Sequence, residues 1–291
     1  MTLGSGTAGA AAVNAGVGIL NVNRNVGVNI TGGSLDANKV DIGTDITGEA
    51  NLNVYQGSAG VIGANAAVGE VNTKGSSKID IDGVKLKAND IAVLAADHSI
   101  TKANTLGITV GAISVGVIVA GAENTSSTNV EITGSEVSAK DNSTESKISI
   151  GTDKANNVEA HATGGAGGSA AAQGVVATAE DSGVSSITLG NNNGSAGNTF
   201  TVNDITVKAS AKPVVKAIAD SYAVSIFGTA GASVATAEAT GNVNVNVYDG
   251  NTLSAEDVDI TGEAGIQDGK NTAEAKVVGN SGSGYVSVAD N

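Results

Sequence analysis

IDIDGVKLKANDIAVLA, residues Ile79–Ala95, decides how this chain folds. Successive side chains of a strand point to opposite faces, so Ile79 and Ile81 share one face and Asp80 and Asp82 take the other. Gly83 marks a turn, Leu86 and Ala88 alternate again, and Ile91 and Val93 form a second strand pair. The same pattern stands earlier as VNITGGSLDANKVDIG, Val28–Gly43. Counted from Ile30 and from Ile81, the next apolar positions fall at offsets 5, 7, 10 and 12 in both copies. A third copy opens with Val130, Ile132, Val137 and Ala139, then inserts Asp141–Ser146 before Ile148 and Ile150. A fourth opens with Ile187 and Leu189, and its insertion, Asn191–Asn198, precedes Phe200, Val202, Ile205 and Val207. The fifth runs Val245, Val247, Leu253, Ala255, Val258, Ile260. Between copies the spacing is nearly constant: 39 positions from Ile42 to Ile81, Val93 to Ile132 and Ile150 to Leu189, and 40 from Val207 to Val247. Fixed apolar registers with insertions at particular corners are what stacked repeats produce.

Short β-branched strands joined by glycine turns, with no window of comparable 3.6-residue period, describe an all-β parallel β-solenoid (β-helix) of five units of 51–58 residues. A β-sandwich has no reason to keep exact offsets between copies. Parallel crossovers prefer a right-handed path. Each coil adds about 4.8 Å along the axis, and a unit folds as one wide coil or as two. Two inward columns follow: Ile30, Ile81, Ile132, Leu189, Val247, and Ile42, Val93, Ile150, Val207, Ile260.

Hydrophobic residues make up 41% of the chain and aromatics 2%, which suits a narrow core of stacked Val, Ile, Leu and Ala. That apolar content excludes a disordered chain. Residues 1–291 read as one continuous domain, because a repeat array has no natural boundary.

Each unit also carries a glycine- and alanine-rich tract: Ala8–Gly18, Ser58–Val71, Thr109–Ala122, Gly164–Ala177 and Val224–Ala237. Gly63-Ala64 and Gly111-Ala112 superficially suggest phosphate loops, but the helix and the lysine or acidic partner that fingerprint needs are missing. Small residues instead let strand layers approach closely, with Val61, Ile62, Val68, Val115, Val117 and Ile226 expected to supply apolar packing area. Ile108–Val119 is the most apolar stretch and is shorter than the 18–20 residues of a bilayer span.

Net charge is −14 and Arg24 is the only arginine, which argues against nucleic acid and against a basic membrane-binding patch. With no cysteine, disulfides and cysteine zinc sites are excluded. The acidic, glycine- and asparagine-rich surface fits an extracellular bacterial protein. No Lys or Arg precedes Arg24, so the positive region of a signal peptide is missing. The chain opens inside one glycine/alanine tract and stops after Gly284–Val288 in another, so a fragment cut mid-repeat at both ends, continuing into further repeats, is expected.

Strand pair, glycine turn, Leu-x-Ala, strand pair and Gly/Ala/Val tract together resemble the repeats of large bacterial filamentous haemagglutinin-type and leukotoxin-family adhesins. The carriers are VNITGGSLDANKVDIG, IDIDGVKLKANDIAVLA and VNVYDGNTLSAEDVDITG, followed by SAGVIGANAAVG or TVGAISVGVIVAGA. The resemblance covers nearly the whole chain. It implies a secreted or surface-anchored rod, exported by a two-partner or autotransporter route, that meets a host-cell or matrix receptor or a neighbouring bacterial surface.

The alternatives are a β-helical polysaccharide-active enzyme and a calcium-binding extracellular solenoid. For catalysis the carboxylate pairs are Asp80/Asp82, Asp36/Asp41 and Asp257/Asp259; all sit at outward phases, where solvated charge explains them. His98 and His161 lack a neighbouring ligand pattern. Tyr55, Tyr222, Tyr248 and Tyr285 are too dispersed to line a sugar cleft. The calcium nonapeptide pattern occurs once, in TGGSLDANKVDIG, without tandem recurrence. Isolated threonines such as Thr201 and Thr206 do not form an ice-binding array. No catalytic, cofactor or metal residue is assigned. The insertions Asp141–Ser146 and Asn191–Asn198 are the places for recognition or for neutral drift.

Overall fold

A computed structural model describes residues 1–141, 145–191, 196–265, 273–283 and, by backbone alone, 286–290. Those residues form strands, turns and bends, and no helix. Six stacked layers follow one another along the chain. They are β1 (Thr2–Thr31) and β2 (Ser34–Asp36); β3 (Lys39–Asp82) and β4 (Lys85–Lys87); β5 (Asp90–Asn124), β6 (Ser127–Thr133) and β7 (Glu136–Ser138). Next come β8 (Lys147–Lys154), β9 (Asn157–Asp181), β10 (Ser185–Leu189) and β11 (Thr199–Thr201); then β12 (Asp204–Ala211), β13 (Val214–Ala239), β14 (Val243–Val247) and β15 (Thr252–Ser254). The sixth holds β16 (Asp257–Ala264), β17 (Ala273–Ser283) and β18 (Val286–Asp290).

Every pairing is parallel and joins one layer to the next. Val40 lies beside Ile91, which is 51 positions on, and Ile91 beside Ile148, 57 on. Each sequence unit therefore makes one wide layer rather than two narrow ones. Both columns stack as the offsets predict: Ile30, Ile81, Ile132, Leu189 and Val247 are successive partners, as are Ile42, Val93, Ile150, Val207 and Ile260. The middle members are buried, whereas Ile30 is half-buried and Val247 and Ile260 are 41% and 42% exposed. Among the described residues β14 and β16 have a neighbouring strand on one side only, which leaves their inward side chains less covered than those of the middle layers.

Three regions divide each layer. The head comprises the strand pairs and the short Leu-x-Ala strands, which stack as their own sheet, β15-β11-β7-β4-β2. Its core holds Ile79, Ile81, Leu86, Ile91, Val93, Phe200 and their stacked equivalents. Gly83, Gly134 and Gly190 turn the chain at one corner with φ of 63°, 56° and 76°, a region that disfavours any residue with a Cβ. The arm is the glycine/alanine tract, whose two limbs run out and fold back face to face. The ladder skips Ala10, Val61, Ala112 and Ser169, and this marks the bend. A Cβ on Gly107 would stand 1.9 Å from Ile118 Cδ1 on the opposite limb, so glycine is what lets the limbs approach here. The arm's base has a small aliphatic core, with Leu52, Val71, Ala103, Ile118, Ala120, Val158, Val175 and Val215. Between head and arm lies a neck where, in the third and fourth layers, most of the buried side chains are polar.

Candidate functional site

The outward carboxylates pair with lysines of their own strand or of other layers. Asp80 pairs with Lys78 at 2.9 Å, and Lys78 reaches Glu131 of the next layer at 3.7 Å. The Asp80 hydrogen bond outweighs burial and raises the Lys78 pKa. Asp82 accepts from Thr133 Oγ1 at 2.9 Å. Asp36 pairs with Lys140 and Asp41 with Lys39, each at 3.2 Å; Asp257 and Asp259 are exposed. Glu263 takes hydrogen bonds from Lys208 and Lys212 at 2.9 and 2.7 Å, which lower its pKa to about 2.

The structure does not bring the two histidines into a shared site. His98 Nδ1 lies 3.0 Å from Asp45 and Nε2 3.4 Å from Asp153, one layer to either side. Burial pulls its pKa down, but the hydrogen bonds and charges of Asp45 and then Asp153 prevail, and it is raised above 6.5. His98, Asp153, Lys208 and Lys212 line a groove of about 480 Å³. His161 Nε2 lies 3.0 Å from Asp220 and 3.2 Å from Thr163 Oγ1. Among the described residues no group of three or more His, Cys, Asp or Glu is placed to hold a metal ion.

Of the two insertions, residues 142–144 and 192–195 lie outside the described residues, as does Tyr285. Their ends are part of the packed head. Ser146 is buried and donates to Asn203 Oδ1 at 2.7 Å. Asn198 is buried, accepts from the Ser135 backbone N–H at 2.9 Å and donates to the Ile132 carbonyl at 2.7 Å. Asn251 repeats this one layer on, donating to the Leu189 carbonyl at 2.8 Å. Loop removal from Asp141 to Ser146 or from Asn191 to Asn198 therefore takes structural anchors with it, contrary to the expectation of a neutral insertion.

A second expectation is also corrected. Of the six aliphatic residues named in the tract, Val68 is half-buried, but Val61, Ile62, Val115, Val117 and Ile226 stand on the outer surface of the arm, 47–61% exposed. Ile108, Val110, Ile113, Val224 and Phe227 join them. The phase of the alternation is the reason: Thr105, Thr109 and Ser114 take the inward positions, so the branched residues between them must face out. This outer face is free of charge. No Asp, Glu, Lys or Arg occurs in Val54–Gly69, Ala103–Ala122, Ala162–Ala179 or Ser221–Ala237.

The neck was not anticipated from sequence. Asp97, Ser99, Asn124, Lys154, Asn156 and Asp181 have no exposed surface. Asp97 stacks directly beneath Lys154, and Asn124 beneath Asp181. Asp97 Oδ1 accepts from the Ser99 N–H at 3.1 Å, and its Oδ2 accepts from Asn156 Nδ2 at 3.1 Å and from Ser126 Oγ. Asn124 Nδ2 donates to Ser99 Oγ at 3.0 Å. Lys154 Nζ contacts Asp181 Oδ1, while Asp181 Oδ2 accepts from Asn156 Nδ2 at 3.3 Å. Burial raises the Asp181 pKa; Lys154 and Asn156 pull the other way, and the nearby Asp97 charge adds to the rise. Continuing the alternation from Ala95 through Asp97, Ser99 and Thr101 would have placed Asp97 inward, which was the available signal.

Comparison with protein-family models, with curated proteins and with solved structures finds no match to this chain.

Proposed function

We propose that this chain is a structural and adhesive repeat segment of a secreted or surface-anchored bacterial filamentous adhesin, serving as a rigid stalk and display surface. The layers are then the coils of a right-handed parallel β-solenoid, the hand that parallel crossovers prefer. The observation that supports this reading is the lateral ladder itself: each layer pairs along its head, neck and arm with the next, so length grows by adding identical rungs. A rod of that kind holds side groups at fixed heights, and the resemblance of its repeats to filamentous adhesins gives the rod its use. Its partner is a host-cell or matrix receptor or a neighbouring bacterial surface.

Two measurements test the two halves of the proposal. Duplicating residues 79–129 in register should lengthen the particle by about 4.8 Å in small-angle scattering; aggregation or an unchanged length sinks the stalk. Beads coated with the protein should adhere to cultured cells or matrix and be displaced by free protein. Adhesion no greater than that of albumin-coated beads removes the adhesive half.

A further inference from the structure

We propose that Lys154 and Asp181 become joined by a covalent amide bond that ties the two limbs of the fourth layer together at the neck. Both side chains are fully buried, and Nζ contacts a carboxyl oxygen of Asp181. They approach from opposite limbs, Lys154 at the end of β8 and Asp181 at the end of β9, 27 positions apart. An ammonium carries three donors, and Asp181 is the acceptor the structure gives Nζ among the described residues. A buried ion pair must recover the hydration energy of both charges. Here Asp97 adds a second carboxylate to the same dry space, so two acids face one base. An amide nitrogen has one N–H and no charge, and it suits this environment better than the ion pair does.

The chemistry needs no cofactor. The ammonium proton passes to the carboxylate within the contact, giving a neutral amine beside a carboxylic acid. The nitrogen lone pair forms a bond to Asp181 Cγ, the nitrogen gives up one proton, and the carboxyl hydroxyl leaves with a proton as water. Lysine plus aspartate yields one amide and one water, with no change in oxidation state. The raised Asp181 pKa favours the acid form that the attack requires. Asp97 is the positioning residue: it lies under Lys154 and is linked to Asp181 through Asn156, which donates to both carboxylates. Its negative charge keeps the proton on Asp181.

Mass spectrometry of the purified full chain decides the matter. The intact protein should be lighter than its sequence by one water. Trypsin should then leave residues 148–208 as one internally linked peptide, because Lys154 is blocked and the next cleavable residue is Lys208. Full mass, with separate peptides 148–154 and 155–208, overturns the proposal. Water loss that persists in Lys154→Met also overturns it, because the loss then lies elsewhere, for example at Asp82-Gly83. Should Lys154→Met fail to fold, the wild-type peptide map alone still decides. Asp97→Asn should fold with an unchanged circular dichroism spectrum but lose its water more slowly when newly synthesised chain is followed by intact mass, with Asp97→Glu restoring the rate. An unchanged rate in Asp97→Asn removes Asp97 from the scheme.

Discussion

Head and arm are built from the same backbone, the same parallel ladder and the same period-two alternation, yet they are turned inside out with respect to each other. In the head, Ile79, Ile81, Ile91 and Val93 face inward and Lys78, Asp80 and Asp82 outward. In the outer arm, Thr105, Thr109 and Ser114 face inward, and Ile108, Val110, Ile113, Val115 and Val117 face outward. The contrast separates two duties that one face normally combines. The head derives its stability from buried aliphatic area, worth about 25 cal/mol per Å². The arm's limbs are too close for large side chains, as Gly107 against Ile118 indicates, so its large apolar groups are left on the outer surface. The neck, polar and buried, is where one pattern gives way to the other.

The sharpest way to break this comparison is one substitution made twice. Ile81→Asp puts an unpaired charge into the head column and should cost several kcal/mol, enough to unfold much of the chain. Val117→Asp adds the same charge to the outer arm, 49% exposed, and should stay within about 0.5 kcal/mol while raising solubility. Urea titration followed by circular dichroism measures both. Equal losses at the two sites would show that the arm's outer face is buried against something in solution.

Asn198→Ala should come next in size. It leaves the Ser135 N–H and the Ile132 carbonyl without the amide that serves them, at about 1–3 kcal/mol. Asn251→Ala, the same device on an outer layer where the side chain is less buried, should cost less. A larger loss for Asn251→Ala would mean that the end layer is as tightly held as the middle of the stack.

Much of the head was legible because its signal is redundant. Ile30 and Ile81 are followed by identical apolar offsets, and parallel stacking in register is the arrangement that buries all of them together. The glycine corner was legible for the same reason, since Gly83, Gly134 and Gly190 recur at one phase. The arm was not. Its inner and outer faces both carry small or apolar residues, so composition alone does not tell Thr109 from Val110; the decision rests on which limb faces which. The neck escaped because Asp97 and Lys154 occupy a column with Ile46 and Ala211. A position that is isoleucine, aspartate, lysine and alanine in successive copies does not announce burial. Only the pairing partners across the layer make those charges compatible with it.

The arm's interior offers a test with the opposite sign. Thr105 Oγ1 and Thr109 Oγ1 are buried without a hydrogen-bond partner among the described residues. Replacing such a threonine by the isosteric valine removes a polar group that burial penalises and keeps the volume. Thr109→Val should stabilise the chain by about 1 kcal/mol, read as a higher urea midpoint at constant slope. A loss instead would mean that the arm's polar lining is satisfied in solution, and the contrast with the head would then be one of hydration rather than of packing.

The smallest expected effect concerns the outward charges near the neck. His98 bridges Asp45 and Asp153 of the layers on either side, and its folded-state pKa lies above the unfolded value near 6.5. A raised pKa means that the protonated form is bound more tightly in the fold. The stabilisation is therefore complete below pH 6.5 and is lost as pH rises through the folded value. The ring is 41% exposed, so solvent screening limits the contribution to about 0.2–1 kcal/mol, as for other surface pairs. His98→Gln should remove the fall in stability that sets in as pH rises above 6.5 and leave the profile untouched once the wild-type ring is neutral. Added salt should shrink the wild-type slope toward that of the variant. A slope that survives both the substitution and the salt would place the titrating group among buried residues, with the neck carboxylates the first to examine.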